Sequence, residues 1–238
     1  MQHPDTGGLR VNIEERIAER FALDGEAMQR LRGFLDAVQA APMNLTAWRG
    51  EALWERGVWD SLLLLPWLDG LGTRFLDIGS GAGFPGMVLA IARSRTHWTL
   101  LESRTRRAEF LQEIVGTLEL TEVQIVADRA EEWIWQEPEL REGFDAVTIR
   151  AVAGPRASLE LGLPYVRQGG RLLLPKGSDG LGEIQAEAEW ISRLGGGLVQ
   201  AADSIVTGPD GRPGQIVIVE KARQTPEGYP RTAKQLGS

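Results

Sequence analysis

The segment FLDIGSGAGFPG, residues 75–86, is the stretch of this sequence best suited to chemistry. Its glycines fall at positions 79, 81, 83 and 86, after an apolar run and before a run with helical spacing. Glycines at alternate positions let the backbone approach a ligand closely and adopt dihedral angles that other residues avoid. The segment therefore predicts a strand, a ligand-binding turn and a helix, in that order.

Two kinds of ligand fit this loop. Gly81, Gly83 and Gly86 match the G-x-G-x-x-G fingerprint of a dinucleotide site, in which a pyrophosphate faces a helix N-terminus. Asp77, Gly79, Gly81 and Gly83 instead give D-x-G-x-G-x-G, the pattern of S-adenosyl-L-methionine (AdoMet) loops. A carboxylate at Asp77 would repel a pyrophosphate, but it suits the cationic centres of AdoMet. The charges therefore favour AdoMet, with S-adenosyl-L-homocysteine as the product.

Glu102 supports a nucleoside ligand under either interpretation. It stands at the end of the next apolar run, WTLLE, where the carboxyl end of a second parallel strand is expected. A carboxylate at that edge could accept hydrogen bonds from a ribose diol. We therefore expect Glu102 to bind the cofactor together with the glycine loop.

The groups that this chain lacks narrow the possible reactions. The absence of cysteine excludes cysteine-based attack through a pyrimidine C5, and no acidic cluster predicts a metal. Enzymes that methylate exocyclic amines commonly carry an Asn/Asp-Pro-Pro-aromatic run after the fourth strand, where this chain has IRAVAGP with Arg150. Ring N7 of guanine has a free lone pair, so its methylation needs positioning but no general base. A nitrogen on a small molecule would satisfy the same argument.

Short apolar runs alternate with helical segments from residue 73 onward, which predicts an α/β fold with a mostly parallel sheet. The last two runs, LVQAADSIV and QIVIVEK, are joined by TGPDGRPG, a segment of hairpin-turn composition. A closing antiparallel hairpin is a feature of the Rossmann-like class I AdoMet-dependent methyltransferase fold. We therefore predict that fold, with a seven-stranded sheet whose ligands bind at the carboxyl ends of the strands.

The first 70 residues have a different pattern. Apolar residues at helical spacing predict two helices within residues 11–41, the second of them capped by Asp24, and a third helix over residues 51–65. The segment APMNLTAW, with Pro42 and Asn44, interrupts them. We therefore divide the chain into an N-terminal helical extension, residues 1–70, and an AdoMet-binding domain, residues 71–238.

Composition and charge bear on location and partners. The 238-residue chain has two histidines, His3 and His97, no apolar leader and no apolar run of membrane-spanning length, so we expect a cytoplasmic monomer. Its net charge of −7 argues mildly against a dedicated nucleic-acid binder. Residues 93–107 nevertheless hold five arginines and one acid, which could form a local cationic face.

The order and spacing of several short motifs resemble the small-subunit ribosomal RNA guanine-N7 methyltransferases, also called glucose-inhibited division protein B. The resemblance covers roughly residues 44–231. It rests on NLTAW, WDSLLLL, LDIGSGAGFPGMVLAI, LLESRTRRAEFL, DRAEE, FDAVTIRAVA, LLLPKG and YPR. It implies AdoMet as the cofactor and guanine N7 at position 527 of 16S rRNA as the methyl acceptor, in the small subunit or a precursor particle.

The resemblance also implies roles for particular residues. Gly79 and Phe84 match AdoMet contacts, while Ala130 and Glu131 match a pair whose backbone meets the adenine. Arg150 matches the family arginine after the fourth strand, for which we predict a catalytic and cofactor-binding role. Each side chain also has a simpler structural interpretation, such as Phe84 in the core or Arg150 paired with an acid like Asp145.

Basic residues outside the loop are the candidates for RNA contact. Lys176 and Arg231 match basic family positions, and Arg106 lies in the arginine-rich start of a predicted helix. Two segments depart from the family pattern: Gly57 replaces a usual histidine, and the tail after YPR is short. The alternatives are a small-molecule N-methyltransferase, a nicotinamide-dependent oxidoreductase and a module that binds AdoMet without turnover.

Overall fold

The fold was analysed in a computed structural model, which describes residues 12–207 and 211–236. The start of the predicted N-terminal extension, including His3, lies outside the described residues. So does the middle of the predicted hairpin turn.

A seven-stranded sheet in the order β3-β2-β1-β4-β5-β7-β6 forms the centre of the molecule. Neighbouring strands are parallel from β3 through β5, and β7 runs antiparallel to both β5 and β6. This arrangement confirms the predicted fold class and the closing hairpin. The strands are β1 (Arg74–Ile78), β2 (His97–Leu101), β3 (Val123–Val126), β4 (Phe144–Ile149), β5 (Val166–Lys176), β6 (Gly196–Thr207) and β7 (Pro213–Lys221).

The strand order reverses between β1 and β4, which are neighbours although two strands lie between them in sequence. In open sheets of this type, ligands bind beyond the carboxyl ends of the strands at such a switch point. The glycine loop follows β1, and Arg150 follows β4. The topology therefore brings these two predicted elements to the same edge of the sheet.

Helices cover both faces of the sheet. The helical segment between β5 and β6 is divided at Glu187, whose φ of −94° and ψ of 26° leave the helical range. The α-helices are α1 (Ile13–Phe21), α2 (Gly25–Ala40), α3 (Asp60–Leu62), α4 (Gly86–Ala92), α5 (Thr105–Thr117), α6 (Ala130–Trp133), α7 (Pro155–Gly162), α8 (Gly180–Gln185), α9 (Ala188–Arg193) and α10 (Ala233–Leu236).

The N-terminal helices are partly as predicted. The Asp24 side chain accepts a hydrogen bond from the Ala27 N–H at 2.8 Å and caps α2, which confirms its predicted role. The helix predicted over residues 51–65 differs, because its central part, Leu53–Trp59, is a π-helix that continues into α3. Within this wider coil Gly57 faces the ring of Phe84, and a Cβ at position 57 would lie 2.7 Å from Phe84 Cε1.

The core consists of two hydrophobic clusters, one on each face of the sheet. The first joins the N-terminal helices to α4 and α5, and the second packs α7, α8 and α9 against the opposite face. Phe34 of α2 belongs to the first cluster, and its ring centroid lies 5.2 Å from that of Phe84. The N-terminal helices thus share a core with the sheet, and a domain division at residue 70 stays a prediction.

We predict that Phe34→Ala destabilises the protein by about 3–5 kcal/mol, because it leaves a cavity in a fully buried site. It should also weaken AdoMet binding, since Phe34 Cζ would lie 2.9 Å from a Cβ built on Gly83 and so supports the glycine loop. Urea unfolding and calorimetry measure the two effects. Leu35→Ala, equally buried on the same helix, is the control, and equal AdoMet affinities for both variants would contradict this role of Phe34.

Candidate active site

The glycine loop after β1 is held in a tight turn. The Gly79 N–H donates to the Leu101 carbonyl at 2.7 Å, and the Gly83 N–H donates to the Ser80 carbonyl at 2.7 Å. The φ angles of Gly79, Gly81 and Gly83 are 71°, 57° and 101°. These left-handed angles explain why glycine recurs at alternate positions.

Asp77 lies beneath this loop instead of facing a ligand. Its carboxylate is buried and accepts hydrogen bonds from the Thr148 hydroxyl at 2.6 Å and from the Gly86 N–H at 3.2 Å. Burial raises the pKa of Asp77 to about 6, although these hydrogen bonds and the charge of Arg150 lower it. The sequence-based expectation that Asp77 meets a cationic centre of AdoMet directly is therefore not supported. Its carboxylate fastens β1, β4 and the start of α4 together.

Glu102 fastens the loop from the other side. One carboxylate oxygen accepts a hydrogen bond from the Gly81 N–H at 2.8 Å, and the other accepts one from the Arg104 N–H at 2.8 Å. Its neighbours in sequence, Leu101 and Ser103, line the adjacent cleft. Glu102 itself is 5% exposed and both of its oxygens accept backbone hydrogen bonds, so the ribose contact stays a prediction.

A cleft of about 290 Å³ opens beside Gly79 and is lined by both Ala130 and Glu131. The Ala130 carbonyl accepts a hydrogen bond from the Tyr165 hydroxyl at 2.6 Å, and the Glu131 carboxylate pairs with Arg129 at 2.6 Å. These contacts fix the first turn of α6, whose leading backbone N–H groups have no acceptor within the helix. The structure therefore brings together Gly79, Ala130 and Glu131, as the sequence predicts.

Two further residues of this cleft do not appear in the sequence-based prediction. Asp128 lines it two residues after the end of β3, and Glu102 directly follows β2, so the position of Asp128 shortly after a strand was an available signal. Val152 covers Gly79 so closely that a Cβ on Gly79 would lie 2.3 Å from Val152 Cγ2. The loop after β4 gave no such signal in the sequence, since its apolar residues resemble ordinary core positions.

Phe84 is a core residue in this structure. Its side chain is 7% exposed and packs against the rings of Phe34 and Trp48, with centroid distances of 5.2 and 6.0 Å. The predicted contact between Phe84 and AdoMet would therefore have to come from its backbone, because the ring faces the N-terminal helices. Packing also restricts position 83 to glycine, because a Cβ there would clash with the ring of Phe34.

A second cavity, of about 500 Å³, lies at the end of β4 and contains Arg150. Its guanidinium Nη2 lies 3.2 Å from an Asp60 carboxylate oxygen and donates to the Arg56 carbonyl at 3.0 Å. Its Cζ lies 5.0 Å from the ring centroid of Trp48. Arg150 thus pairs with Asp60 and not with Asp145, whose carboxylate instead accepts from Arg167 at 2.5 Å.

Arg150 has an unused donor. Its Nη1 is buried and has no hydrogen-bond partner among the residues that the structure describes. Burial lowers the pKa of Arg150, and the Asp60 and Asp77 carboxylates partly offset this effect. A guanidinium remains protonated under such conditions, so the cavity contains a fixed cation with a free N–H group. An acceptor oxygen of a bound base would satisfy it.

The predicted RNA-contacting residues lie in three different places. Lys176 lines the cavity of Arg150, and burial lowers the pKa of its ammonium group against the attraction of Glu183. Arg106 is exposed on the first turn of α5. Arg231 pairs with the buried Glu160 through two hydrogen bonds from its guanidinium, each of 2.8 Å. Of these three, only Lys176 lines the cavity that contains Arg150.

Residues 12–207 and 211–236 contain no cluster of three or more His, Cys, Asp or Glu side chains that could hold a metal ion. No helix in these ranges is long and apolar enough to span a membrane.

Comparison with known families agrees with this arrangement. The family model GidB, described as rRNA small subunit methyltransferase G, matches residues 27–202. A protein from Syntrophomonas wolfei named ribosomal RNA small subunit methyltransferase G is 42% identical over 177 residues, 74% of this chain and 81% of the relative. One of the same name from Chloroflexus aggregans is 40% identical over 225 residues, 93% of each chain.

Solved structures support the fold. The precorrin-6Y C5,15-methyltransferase of Geobacter metallireducens superposes with a TM-score of 0.54 at 17% identity, covering 76% of this chain and 93% of that one. Identity at this level supports a shared fold and nothing more specific.

We predict that Gly81→Val weakens AdoMet binding by at least about tenfold. Valine at a φ of 57° is strained, and strain of about 1–3 kcal/mol would be relieved by a change in the loop. Calorimetric titration with AdoMet measures the loss, and circular dichroism tests whether the fold survives. Gly116→Ala, at a helical glycine with open space around it, is the control. Wild-type affinity in the valine variant would show that this loop does not hold the cofactor.

The buried Asp77 predicts a pH dependence of stability. Its pKa is 3.8 in the unfolded chain and about 6 in the folded protein, so the folded state binds more protons between these values. The contribution of Asp77 to the free energy of unfolding should therefore fall as the pH rises from about 4 to 6, by on the order of 3 kcal/mol, and stay constant above.

Asp77→Asn isolates this contribution, because an amide can accept from Gly86 and donate to Thr148 without titrating. Urea unfolding of both proteins between pH 4 and 8 gives the difference in free energy. A difference that does not vary with pH would contradict the raised pKa of Asp77.

Proposed function

Because this chain belongs to the rRNA small subunit methyltransferase G family, we propose that it methylates N7 of guanine 527 in 16S rRNA. The chain is an AdoMet-dependent methyltransferase, and the proposal concerns the atom that accepts the methyl group. The observation that carries the proposal is Arg150, which lines a cavity at the carboxyl end of β4 and keeps its Nη1 donor without a hydrogen-bond partner among the described residues. A guanine offers that donor its O6 oxygen.

The residues around the first cleft fit AdoMet. Gly79 lines the cleft, Gly81 and Gly83 shape the turn beside it, Glu102 lies at the end of β2, and Ala130 and Glu131 line the same cleft. The apolar walls of the cleft include Leu101 and Leu161, which suits the faces of an adenine ring. When bound, AdoMet supplies an electrophilic methyl group on a sulfonium. The protein contributes the position and orientation of the two reactants.

The second cavity fits a guanine whose N7 is the nucleophile. The N7 lone pair is free at neutral pH, so no side chain has to remove a proton, and catalysis reduces to proximity and orientation. Arg150 would orient the base through O6, and Trp48 stacked on its guanidinium keeps that side chain in place. Because Arg150 is itself held by Asp60 and by the Arg56 carbonyl, its donor is preorganised.

Methylation at N7 gives the base a positive charge. Asp60 lines the acceptor cavity, and its carboxylate forms an ion pair with Arg150. Without this carboxylate, the positive charge of Arg150 would disfavour the methylated, cationic base. Ser204 donates a hydrogen bond to the other oxygen of Asp60 and fixes its orientation. The carboxylate therefore both holds Arg150 and stabilises the charge that develops on the base.

The partner in this proposal is 16S rRNA within the small subunit or a precursor particle, and the protein acts in the cytoplasm as a monomer. Lys176, at the edge of the acceptor cavity, is placed to meet a phosphate of the methylated nucleotide or its neighbour. Arg106 is exposed and could meet RNA further away. Arg231 is engaged with Glu160, which reduces its capacity for a phosphate contact.

The experiment that tests this function is transfer of tritium from AdoMet to purified small subunits that lack the modification, followed by mapping of the labelled base. We expect label on a single guanine N7. Subunits that already carry the modification are the control. Label that appears on another base, or only on small molecules, would contradict the proposed acceptor.

We predict that Arg150→Ala lowers kcat by about 100-fold, because the acceptor base loses the group that orients it. AdoMet affinity should change little, because Arg150 lies in the other cavity; of the two roles that the sequence predicts for Arg150, we thus propose only the catalytic one. Single-turnover methylation of small subunits gives the rate, and thermal unfolding tests whether the loss is structural. Arg167→Ala is the matched control, because it also removes an arginine from an ion pair, the one with Asp145, but away from both cavities. Unchanged turnover in the Arg150 variant would make this residue a member of a structural ion pair.

A further inference from the structure

Three arginines surround one tryptophan on the face of the sheet covered by α7, α8 and α9. The guanidinium carbons of Arg156, Arg193 and Arg231 lie 4.1, 4.9 and 5.1 Å from the ring centroid of Trp190. The indole is 5% exposed, and Tyr229 meets it edge-on at a centroid distance of 5.6 Å. We call this group of residues the arginine–tryptophan surface.

The three arginines are not equivalent. Arg231 forms a two-fold ion pair with Glu160, whose side chain is fully buried, and its own N–H donates to the same carboxylate at 2.8 Å. Its charge is therefore balanced within the protein, and its structural effect is to fasten the C-terminal segment onto α7. The packing of this segment explains Arg231 without any ligand.

Arg156 and Arg193 have no such explanation. Both are exposed, and neither has a carboxylate within ion-pair distance in the described part of the chain. Because each guanidinium carbon lies within 5.1 Å of one ring centroid, any two of them lie within about 10 Å of each other, which is roughly the Debye length at 0.1 M salt. Their mutual repulsion is therefore only partly screened, and an external anion would relieve it.

The geometry of the stack leaves these arginines free to bind such an anion. A guanidinium that lies over an aromatic face keeps its N–H edge available, and this edge matches the oxygens of a phosphate. Arg156 also lines a cavity of about 310 Å³ with Glu160 and Glu187, and that cavity shares Ala157 and Leu236 with the AdoMet cleft. The surface is thus continuous with the active site. The three arginines of the surface outnumber the two carboxylates of the adjoining cavity, Glu160 and Glu187, so the surface is net cationic on an otherwise acidic protein.

We propose that Arg156 and Arg193 of the arginine–tryptophan surface bind the phosphate backbone of the rRNA substrate, beyond the nucleotide that enters the acceptor cavity. This inference rests on the proposed function. On this side of the molecule the main phosphate contacts would then be Arg156 and Arg193, and not Arg231, which is the basic residue that the family resemblance suggests. Their stacked guanidiniums have already lost most of their conformational freedom, which reduces the entropy cost of binding.

The test compares methylation of small subunits by the wild-type protein and by the double variant Arg156→Ala/Arg193→Ala over a salt series. We expect KM for the subunits to rise on the order of tenfold in the double variant, with kcat and AdoMet affinity unchanged. The salt slope, which is the change in log affinity for the subunits per unit of log salt concentration, should fall by about 1.5, the value for two phosphate contacts. The double variant Arg30→Ala/Arg32→Ala removes the same charge from α2, where both arginines are ion-paired, and should leave KM unchanged.

A second double variant, Arg156→Lys/Arg193→Lys, keeps both charges and should restore the salt slope. Unchanged KM and slope in the alanine variant would overturn this inference while leaving the proposed function intact, provided that the wild-type protein labels the subunits. A lysine variant with the same reduced slope as the alanine variant would also contradict it. No labelling by the wild-type protein would overturn the proposed function and this inference together.

Discussion

A buried carboxylate beneath a strand-to-helix turn is the contact on which the geometry of this site depends. Asp77 accepts one hydrogen bond from the first residue of α4 and another from Thr148 in β4, and it belongs to β1 itself. It therefore joins the two strands between which the sheet order reverses, and the helix that begins after the loop. Gly86 has to be glycine for this purpose, since a Cβ there would lie 2.7 Å from Cβ of Asp77. The dihedral angles of the glycine loop follow from these fixed ends.

The N-terminal helices complete the site and are not an appendage to it. Trp48 contacts the ring of Phe84 on one side and the guanidinium of Arg150 on the other, with centroid distances of 6.0 and 5.0 Å. Arg56 and Asp60, from the π-helical segment and the helix after it, supply two of the three contacts of Arg150. The glycine loop and the acceptor cavity are thus connected through side chains of the first 70 residues.

The sequence predicts the fold well because its signals are local. Alternating apolar runs, turn residues and the cap at Asp24 each act within a few positions, and the sheet order follows from the usual right-handed connections between parallel strands. The position of the cleft was also predictable, because Gly79 directly follows β1 and Ala130 comes four residues after the end of β3. The π-helix and the break at Glu187 were not predictable, because they depend on packing between distant segments.

The partners of individual side chains were less predictable, for the same reason. Asp77 and Phe84 have the residue types of ligand contacts, and only the folded structure shows the carboxylate capping a helix and the ring in the core. Arg150 was correctly placed at the edge of the sheet, but its partner Asp60 is ninety positions away in sequence, and periodicity carries no information on such a pair. The arginine–tryptophan surface combines residues from α7, α9 and the C-terminal segment, so no short motif reveals it.

The charges of the acceptor cavity have a consequence for the direction of the reaction. A sulfonium cation and a neutral base become a neutral thioether and a cationic base, so one positive charge moves from the cofactor cleft to the acceptor cavity. An arginine alone in that cavity would oppose this movement. The carboxylates of Asp60 and Asp77 both attract the guanidinium of Arg150, so the positive charge of Arg150 is compensated within the protein. The same carboxylates that fix the orienting arginine thus lower the electrostatic cost of placing the new cation beside it.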